Sequence, residues 1–312
     1  MPSPISSRRV VVVSFLVDLI DVGTNLVVAL LTGSAVVFAE LAQGLADSAG
    51  SALLVIGERR AARVRDAAHP FGYAREAFFW ALLSAVVMLV IGAGLSGWRG
   101  YEQLVRPQPL ENSALALAVL VLAILTNGYA VSLSARKLAS ANGGMVAALR
   151  NPSRPLVKGA LLRDVVGTTT SVVGLVALLC YESLGMVVFD AAGALVAAVM
   201  MLIASFLLME QARALIAGRS LPESDLALLR TAILGSPQVV GVNQLAAVYA
   251  GATEVLVDTD LDLAEGLLTM EVEAVLDDVE SRARAALPEI GRVRILLNSP
   301  EPLAPRGQER NA

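Results

Sequence analysis

The sequence predicts a helical membrane protein with six transmembrane helices, followed by a small α/β domain. Hydrophobic residues make up 56% of its 312 residues and charged residues only 17%, whereas a soluble domain carries about 25% charged residues. The mean hydropathy is +0.67. The apolar residues fall into six runs, each close to the roughly 20 residues that cross a bilayer. After about Gln211 the composition changes to that of a soluble domain.

The six predicted spans are separated by short or charged connections. They cover Val10–Leu31, Ser34–Ile56, Glu76–Gly97, Ser113–Leu133, Leu161–Tyr181 and Val187–Met209. The first two spans, and likewise the last two, are joined so closely that each pair must form a tight helical hairpin. The basic N-terminus precedes an apolar run that acids interrupt. We therefore interpret that run as a first span and not as a cleaved signal peptide.

Basic residues predict the orientation in the membrane. Arginine and lysine cluster before the first span, between the second and third, and between the fourth and fifth, whereas the opposite loops contain only Arg99 and Arg106. Loops rich in arginine and lysine stay in the cytoplasm. Both termini are therefore expected on the cytoplasmic side, and the basic loops are expected to meet anionic membrane lipid.

Three segments follow from this division: a transmembrane domain over residues 1–210, a soluble domain over 211–299 and a tail over 300–312. Apolar spacing in the second segment predicts helices over 223–235 and 269–286, and strands over 239–249, 254–261 and 292–297. A helix–strand–strand–helix–strand order indicates a layered α/β domain. The tail is polar and contains prolines, so it is predicted to be disordered.

Acidic residues inside the spans are the candidate functional residues. Asp47 lies in the second span, four residues after Gln43; Asp18 and Asp21 lie in the first span, and Asp164 lies near the start of the fifth. A carboxylate in hydrocarbon costs roughly 3 kcal/mol on insertion scales, so such residues usually line a polar pathway. Acids in several spans therefore favour transport of a positively charged species.

Helical spacing places these groups on shared faces. Gln43 and Asp47 are separated by one helical turn, and Asp18, Asp21 and Asn25 also fall on one face of the first span. If the first, second and fifth spans pack together, the acids converge on one cavity. Two carboxylates held close together repel each other and compete for protons, and a divalent cation relieves that repulsion. This coupling is sufficient to exchange protons for a metal ion.

The donor set bears on the identity of the metal. The chain has a single histidine, His69, and a single cysteine, Cys180, which excludes a histidine cluster or a thiolate pair within one chain. Sites with only oxygen ligands suit harder ions than Zn²⁺. We therefore expect Mn²⁺ or Fe²⁺ ahead of Zn²⁺. His69 itself lies in a loop and is interpreted as a loop residue.

Three motifs of the sequence resemble the cation diffusion facilitator family of divalent metal/proton antiporters. The second span is similar to the family's pattern, in which a metal-binding residue precedes an aspartate by four. The loop after it, HPFGYARE, resembles a signature of one subgroup. The C-terminal domain resembles the family's cytoplasmic ferredoxin-like domain. The motifs are Leu31–Ser34 with Ala39-Glu40 and Gln43-x-x-x-Asp47, then His69–Glu76, and finally Pro237–Val242, Glu254–Val257 and Pro288–Ile290.

The resemblance implies a transport site with two side chains from the second span and two from the fifth. Gln43 and Asp47 match the first pair, and Asp164 matches one member of the second. Ala160 stands in place of the remaining ligand, and Arg163 stands where a related subgroup has an acid. We hypothesise that Asp18 and Asp21 compensate for the lost ligands, since the first span also departs from the family's pattern.

The resemblance further implies a multi-pass homodimer in the inner membrane that exports a divalent metal from the cytoplasm in exchange for protons. The ion is cargo, so no resident cofactor is expected. The depleted site leaves an alternative open, namely a non-transporting relative that acts as a regulatory or scaffold subunit. An enzyme is not indicated, because the sequence lacks a Ser/His/Asp set, a His–Glu zinc motif and a phosphate-binding loop. No motif indicates nucleic-acid binding.

Overall fold

The computed structural model describes residues 7–141, 155–251 and 254–297, with side chains described from residue 20 onward except 134, 137–141 and 155–160. The chain divides into two compact units, residues 1–216 and 217–312. The predicted tail, 300–312, lies outside the described residues. Each unit is taken here by itself.

Within the described residues of the first unit, every secondary-structure element is a helix, and loops join the helices. Its helices are α1 (Ser7–Thr32), α2 (Ala35–Ala61), α3 (Glu76–Val105), α4 (Ser113–Ala141), α5 (Pro155–Leu184) and α6 (Val188–Ile216). Within the described residues, four helices are long and apolar enough to cross a membrane: Glu76–Val105, Ser113–Leu133, Leu161–Leu184 and Val188–Ile216. The prediction of a multi-pass helical membrane protein is thereby confirmed. α1 and α2 form where the first two spans were predicted, with 26 and 27 residues.

A residue of α6, the last helix of the first unit, holds the hairpin between α1 and α2. Gly33 adopts a φ of +66°, which allows the chain to reverse. Asp190, in the first turn of α6, accepts hydrogen bonds from Ser34 Oγ at 2.6 Å, Ala35 N at 2.7 Å and Val36 N at 3.2 Å. The carboxylate of Asp190 thus caps the N-terminus of α2, a different helix, and so fixes α2 against α6.

Small residues let α2, α5 and α6 approach closely, as is common in membrane helix interfaces. Gly193 of α6 faces Val36 of α2 and Ala177 of α5; a Cβ at this position would lie 2.6 Å from Ala177 Cβ and 2.8 Å from Val36 Cγ2. Val36 belongs to a buried apolar cluster that also includes Leu120 of α4 and Met201 of α6. This packing positions the polar face of α2 against α5.

The second unit is a three-stranded sheet with two helices. Its elements are α7 (Glu223–Leu234), β1 (Val239–Tyr249), β2 (Val255–Leu263), α8 (Thr269–Ala286) and β3 (Ile290–Leu297). The strand order is β1-β2-β3; β1 and β2 pair antiparallel, whereas β2 and β3 pair parallel and are connected through α8. Apolar side chains such as Leu229, Leu261 and Val279 are buried. The predicted C-terminal α/β domain is confirmed, in the predicted order of elements.

Candidate transport site

One face of α2 carries the polar side chains that contact α5. Glu40, Gln43 and Asp47 are spaced by three and four residues, so they share a helix face. Their contacts on α5 run in the opposite direction along the chain: Ser171 with Glu40, Thr170 with Gln43 and Arg163 with Asp47. α2 and α5 therefore meet as antiparallel neighbours along this polar face.

Gln43 is held tightly between the two helices. Its side chain is buried, and its Oε1 accepts a hydrogen bond of 2.5 Å from Thr170 Oγ1. Gly167 lies opposite, where a Cβ would be 2.7 Å from Gln43 Nε2. The predicted ligand thus packs against a part of α5 without a side chain, and in this state its carbonyl oxygen is bound to a hydroxyl.

Asp47 forms an ion pair with Arg163. Arg163 Nε lies 3.4 Å from Asp47 Oδ1, and a third of the Asp47 side chain is exposed. Arg163 Nη2 also donates to Ser84 Oγ of α3 at 2.8 Å. Gly50, one turn along α2, leaves room for this contact: a Cβ there would lie 2.7 Å from Ser84 Oγ and 3.6 Å from both terminal guanidinium nitrogens of Arg163. The arginine from α5 thus lies between α2 and α3 and compensates the charge of Asp47.

Asp164 follows Arg163 and is half-buried on α5. Its carbonyl oxygen accepts from Thr168 Oγ1 at 3.1 Å. Although Arg163 and Asp164 are adjacent in sequence, the ion pair described for Arg163 is with Asp47, on another helix.

Of the two predicted acids of α1, the structure describes the side chain of one. Asp21 Oδ2 accepts from Asn25 Nδ2 at 3.1 Å. It also lies 3.8 Å from the position of a Cβ at Gly44, the residue after Gln43. Asp21 therefore approaches α2 beside Gln43. Asp18 lies on the same helix, but its side chain is outside the described residues.

Glu40 is the acid that the sequence analysis missed. It is only 7% exposed. Ser171 Oγ lies 2.9 and 3.0 Å from its two carboxyl oxygens, and Asn127 Nδ2 of α4 lies 3.2 Å from Oε1. Two signals could have found it: an acid one turn before Gln43 on the same face, and the polar run at 168–171 in an apolar span. No comparable sequence signal indicated that Asn127 contacts Glu40, since a single amide in a span is common.

The loop between α2 and α3 forms a compact turn on the surface. Asp66 Oδ1 accepts from the His69 backbone N–H at 2.8 Å, and its Oδ2 accepts from Tyr73 Oη at 2.7 Å. The rings of His69 and Tyr73 are 4.1 Å apart. The Tyr73 hydroxyl and the His69 N–H lower the pKa of Asp66, and the same hydroxyl contact raises the pKa of Tyr73. The motif that carries the family resemblance thus shapes a turn.

Residues 11–216 match the family model described as the cation efflux transmembrane domain. The chain belongs to the cation diffusion facilitator family. The match runs from the second turn of α1 to the end of α6, and it confirms the resemblance identified in the sequence.

The chain is also similar to several curated proteins. The mitochondrial proton-coupled zinc antiporter SLC30A9 of Xenopus laevis is 26% identical over 285 residues, which cover 87% of this chain and 50% of the relative. Metal tolerance protein C4 of Arabidopsis thaliana is 28% identical over 200 residues, covering 62% and 44%. The cation-efflux pump FieF of Shewanella oneidensis is 27% identical over 265 residues, covering 83% of each. The chain spans about half the length of the antiporter.

Within this family member, the predicted ligands whose side chains the structure describes are not gathered into one acidic cluster. Among those side chains, no three acidic, histidine or cysteine groups lie close enough together to hold a metal ion. Gln43 is bound to Thr170, whereas Asp47, one turn further along α2, is bound to Arg163. The metal site of Asp47, Asp164, Gln43, Asp18 and Asp21 therefore stays a prediction that requires a rearrangement around Arg163.

Proposed function

We propose that the protein exports a divalent metal ion from the cytoplasm in exchange for protons. Membership of the cation diffusion facilitator family supports this proposal, as do relatives named as a proton-coupled zinc antiporter and a cation-efflux pump. The observation that carries it is the polar face of α2, where Glu40, Gln43 and Asp47 contact α5. Ionisable groups at this depth in a membrane mark ion pathways.

In this proposal Asp47 and Asp164 hold the metal and Gln43 supports them, with Asp18 and Asp21 contributing from α1. Arg163 must leave Asp47 when the metal arrives. That displacement is feasible because a partly exposed ion pair contributes only about 1 kcal/mol, whereas a divalent ion offers twice the charge to the same carboxylate. Arg163 thus acts as an internal cation that occupies Asp47 between transport cycles.

The donors of this proposed site are all oxygens, so we retain Mn²⁺ or Fe²⁺ as the favoured cargo ahead of Zn²⁺. Zinc is the metal in the names of the mitochondrial relatives, which makes it the necessary comparison. Proteoliposomes that contain the purified chain and an internal metal-sensitive dye distinguish the three ions. We expect metal uptake driven by a proton gradient, lost in Asp47→Ala. Equal, slow entry of all three ions into wild-type and variant vesicles would overturn the proposal.

One observation favours a second candidate function, that of a non-transporting regulatory or scaffold subunit. Arg163 occupies Asp47, and Ala160 stands where the family has a fourth ligand. A subunit of this kind would show no metal-dependent proton flux in proteoliposomes, and Arg163→Ala would restore metal binding without restoring flux. Metal-dependent proton flux in the wild-type chain would exclude this candidate.

We propose a location in the inner membrane with six spans, both termini cytoplasmic and the basic loops against anionic lipid. The four apolar helices and the arginines at the end of α2 support this topology. Single cysteines introduced as Arg65→Cys and Glu111→Cys, with Cys180→Ala, test it in intact cells. An impermeant maleimide should label Glu111→Cys alone, and labelling of Arg65→Cys alone would reverse the orientation.

We also propose that the chain is a homodimer and has no enzymatic activity, resident cofactor or nucleic-acid partner. The second unit exposes apolar side chains that support self-association, among them Val240, Leu268 and Met270. Light scattering of the detergent-purified chain should give twice the protomer mass. Met270→Asp should weaken the dimer. A wild-type mass equal to that of one protomer would refute the proposed homodimer.

A further inference from the structure

We infer that Glu40 is a proton-carrying group of the exchange, separate from the acids proposed to hold the metal. The inference rests on the proposed proton-coupled efflux and assigns the proton to a named side chain. Glu40 lies three residues before Gln43 and seven before Asp47, on the side of α2 that meets α4 and α5.

The surroundings of Glu40 are neutral donors. Its described hydrogen-bond partners are the Ser171 hydroxyl from α5 and the Asn127 amide from α4. With only 7% of the residue exposed, water supplies little solvation. An ionised carboxylate in such a place is costly unless nearby groups compensate its charge. The free energy of this site therefore depends strongly on whether Glu40 is protonated or ionised.

Proton counting shows that this network accepts both states of Glu40. Ser171 Oγ lies 2.9 Å from the Gly167 carbonyl oxygen as well as 2.9 and 3.0 Å from the two Glu40 oxygens. A hydroxyl has one proton to donate. When Glu40 is ionised, Ser171 donates to it. When Glu40 is protonated, its own O–H donates to Ser171 Oγ, and Ser171 donates to Gly167.

Rotation of one hydroxyl therefore accommodates either protonation state with every group hydrogen-bonded. Asn127 Nδ2 lies 3.2 Å from both Glu40 Oε1 and Ser171 Oγ, so it can donate in each case. The helices do not have to move for the proton to enter or leave. A structural glutamate that stays in one state would not need this alternative.

The charged groups around Glu40 couple it to the metal. Asp47 lies two turns along the same face of α2, and Asp21 Oδ2 of α1 lies 3.8 Å from the position of a Cβ at Gly44, one turn after Glu40. In the described state the Arg163 guanidinium compensates the charge of Asp47. A divalent cation that replaces this guanidinium at Asp47 adds one positive charge near Glu40 and favours its ionised form. Metal binding thus expels the Glu40 proton, and metal release takes it back.

The remaining helices against α2 contribute charges at its outer end. Arg99 of α3 donates to the Gly33 carbonyl oxygen, and Asp190 of α6 binds the first turn of α2. Arg163 of α5 is bound to Asp47. Among the described side chains, Asp21 and Asp47 are thus the acids through which metal binding changes the charge near Glu40.

The test counts protons released per metal ion bound, with the full-length chain in detergent. Mn²⁺ and Zn²⁺ chlorides are the probes, calorimetry in buffers of different ionisation enthalpy gives the proton count, and infrared difference spectra report the protonated carboxyl band. We expect the wild type and Glu111→Gln, an exposed control, to release the same number. Glu40→Gln should bind the metal, lose the carboxyl band and release one proton fewer.

A second variant covers the case in which Glu40→Gln does not fold. Ser171→Ala keeps the carboxyl but removes the donor to its ionised form, so it should release fewer protons per metal ion at neutral pH. The inference is overturned if Glu40→Gln releases as many protons per metal ion as the wild type. If Glu40→Gln is unfolded, the same result for Ser171→Ala overturns it. Because binding is measured without transport, a wild type that releases the Glu40 proton but moves no metal into vesicles would refute the proposed function alone.

Discussion

Arg163 Nε on α5 lies 3.4 Å from Asp47 Oδ1 on α2, and the same guanidinium donates to Ser84 on α3. An arginine of α5 thus connects two consecutive helices, α2 and α3, that lie far from it in sequence, at the acid proposed to bind the metal. Any transport cycle that uses Asp47 must break this pair. The ion pair is therefore both a barrier to metal entry and a restraint on the helices.

Arg163→Gln should raise metal affinity at Asp47. The substitution removes a competing cation that contributes about 1 kcal/mol, so the dissociation constant should fall roughly fivefold. The variant should also unfold at a lower temperature, because Asp47 loses its counter-charge when no metal is bound. Calorimetric titration with Mn²⁺ and Zn²⁺ measures the first effect. Arg106→Gln, in the exposed loop after α3, is the control; an affinity equal to that of this control would show that Arg163 does not compete with the metal.

Gly193→Ala should destabilise the transmembrane unit. The new Cβ would lie 2.6 Å from Ala177 Cβ, an atom that cannot rotate away. Overpacking of this kind costs about 1–3 kcal/mol. Gly128→Ala in α4 is a matched control, since a Cβ there meets nothing within 4 Å. Thermal unfolding in detergent should show a lower midpoint for Gly193→Ala than for Gly128→Ala, and equal midpoints would contradict the close packing of α5 and α6.

Asp190→Ala should loosen the N-terminus of α2. The substitution leaves the N–H groups of Ala35 and Val36 without their acceptor, and loss of a helix cap costs about 1–2 kcal/mol. We expect lower thermal stability and faster hydrogen exchange at the start of α2. Glu182→Gln, at the exposed C-terminal end of α5, should leave both unchanged. Undiminished protection of α2 in Asp190→Ala would rule out the capping role.

Tyr73→Phe should change the titration of the α2–α3 loop. The Tyr73 hydroxyl is the largest cause of the lowered pKa of Asp66, so its removal should raise that pKa toward the ordinary value of 3.8. A lowered folded-state pKa stabilises the turn above pH 3.8 and loses that effect as the pH falls through the lower folded value. Carboxyl chemical shifts of labelled aspartate measure the change. An Asp66 titration identical in wild type and variant would exclude the hydrogen bond.

Local sequence properties determined the positions of the elements. Runs of apolar residues predicted α3 to α6 and the sites of α1 and α2, because the hydrophobicity of a span is read from contiguous residues. Periodic apolar spacing predicted α7, α8 and the three strands in order. The same periodicity placed Gln43 and Asp47 on one face of α2. Motif likeness in the second span and the following loop indicated the family, which the match over 11–216 then confirmed.

Only the tertiary structure decided which polar groups meet. Arg163 is adjacent to Asp164 in sequence but pairs with Asp47. Glu40, which the sequence analysis named only as part of a motif, contacts both α4 and α5. Asp190 caps a helix that begins more than 150 residues before it. The reason is physical: a contact between helices depends on their rotation and relative height, which are set by the packing of small residues such as Gly193 against Val36. A helix's own sequence specifies its faces, whereas its neighbours decide what each face touches.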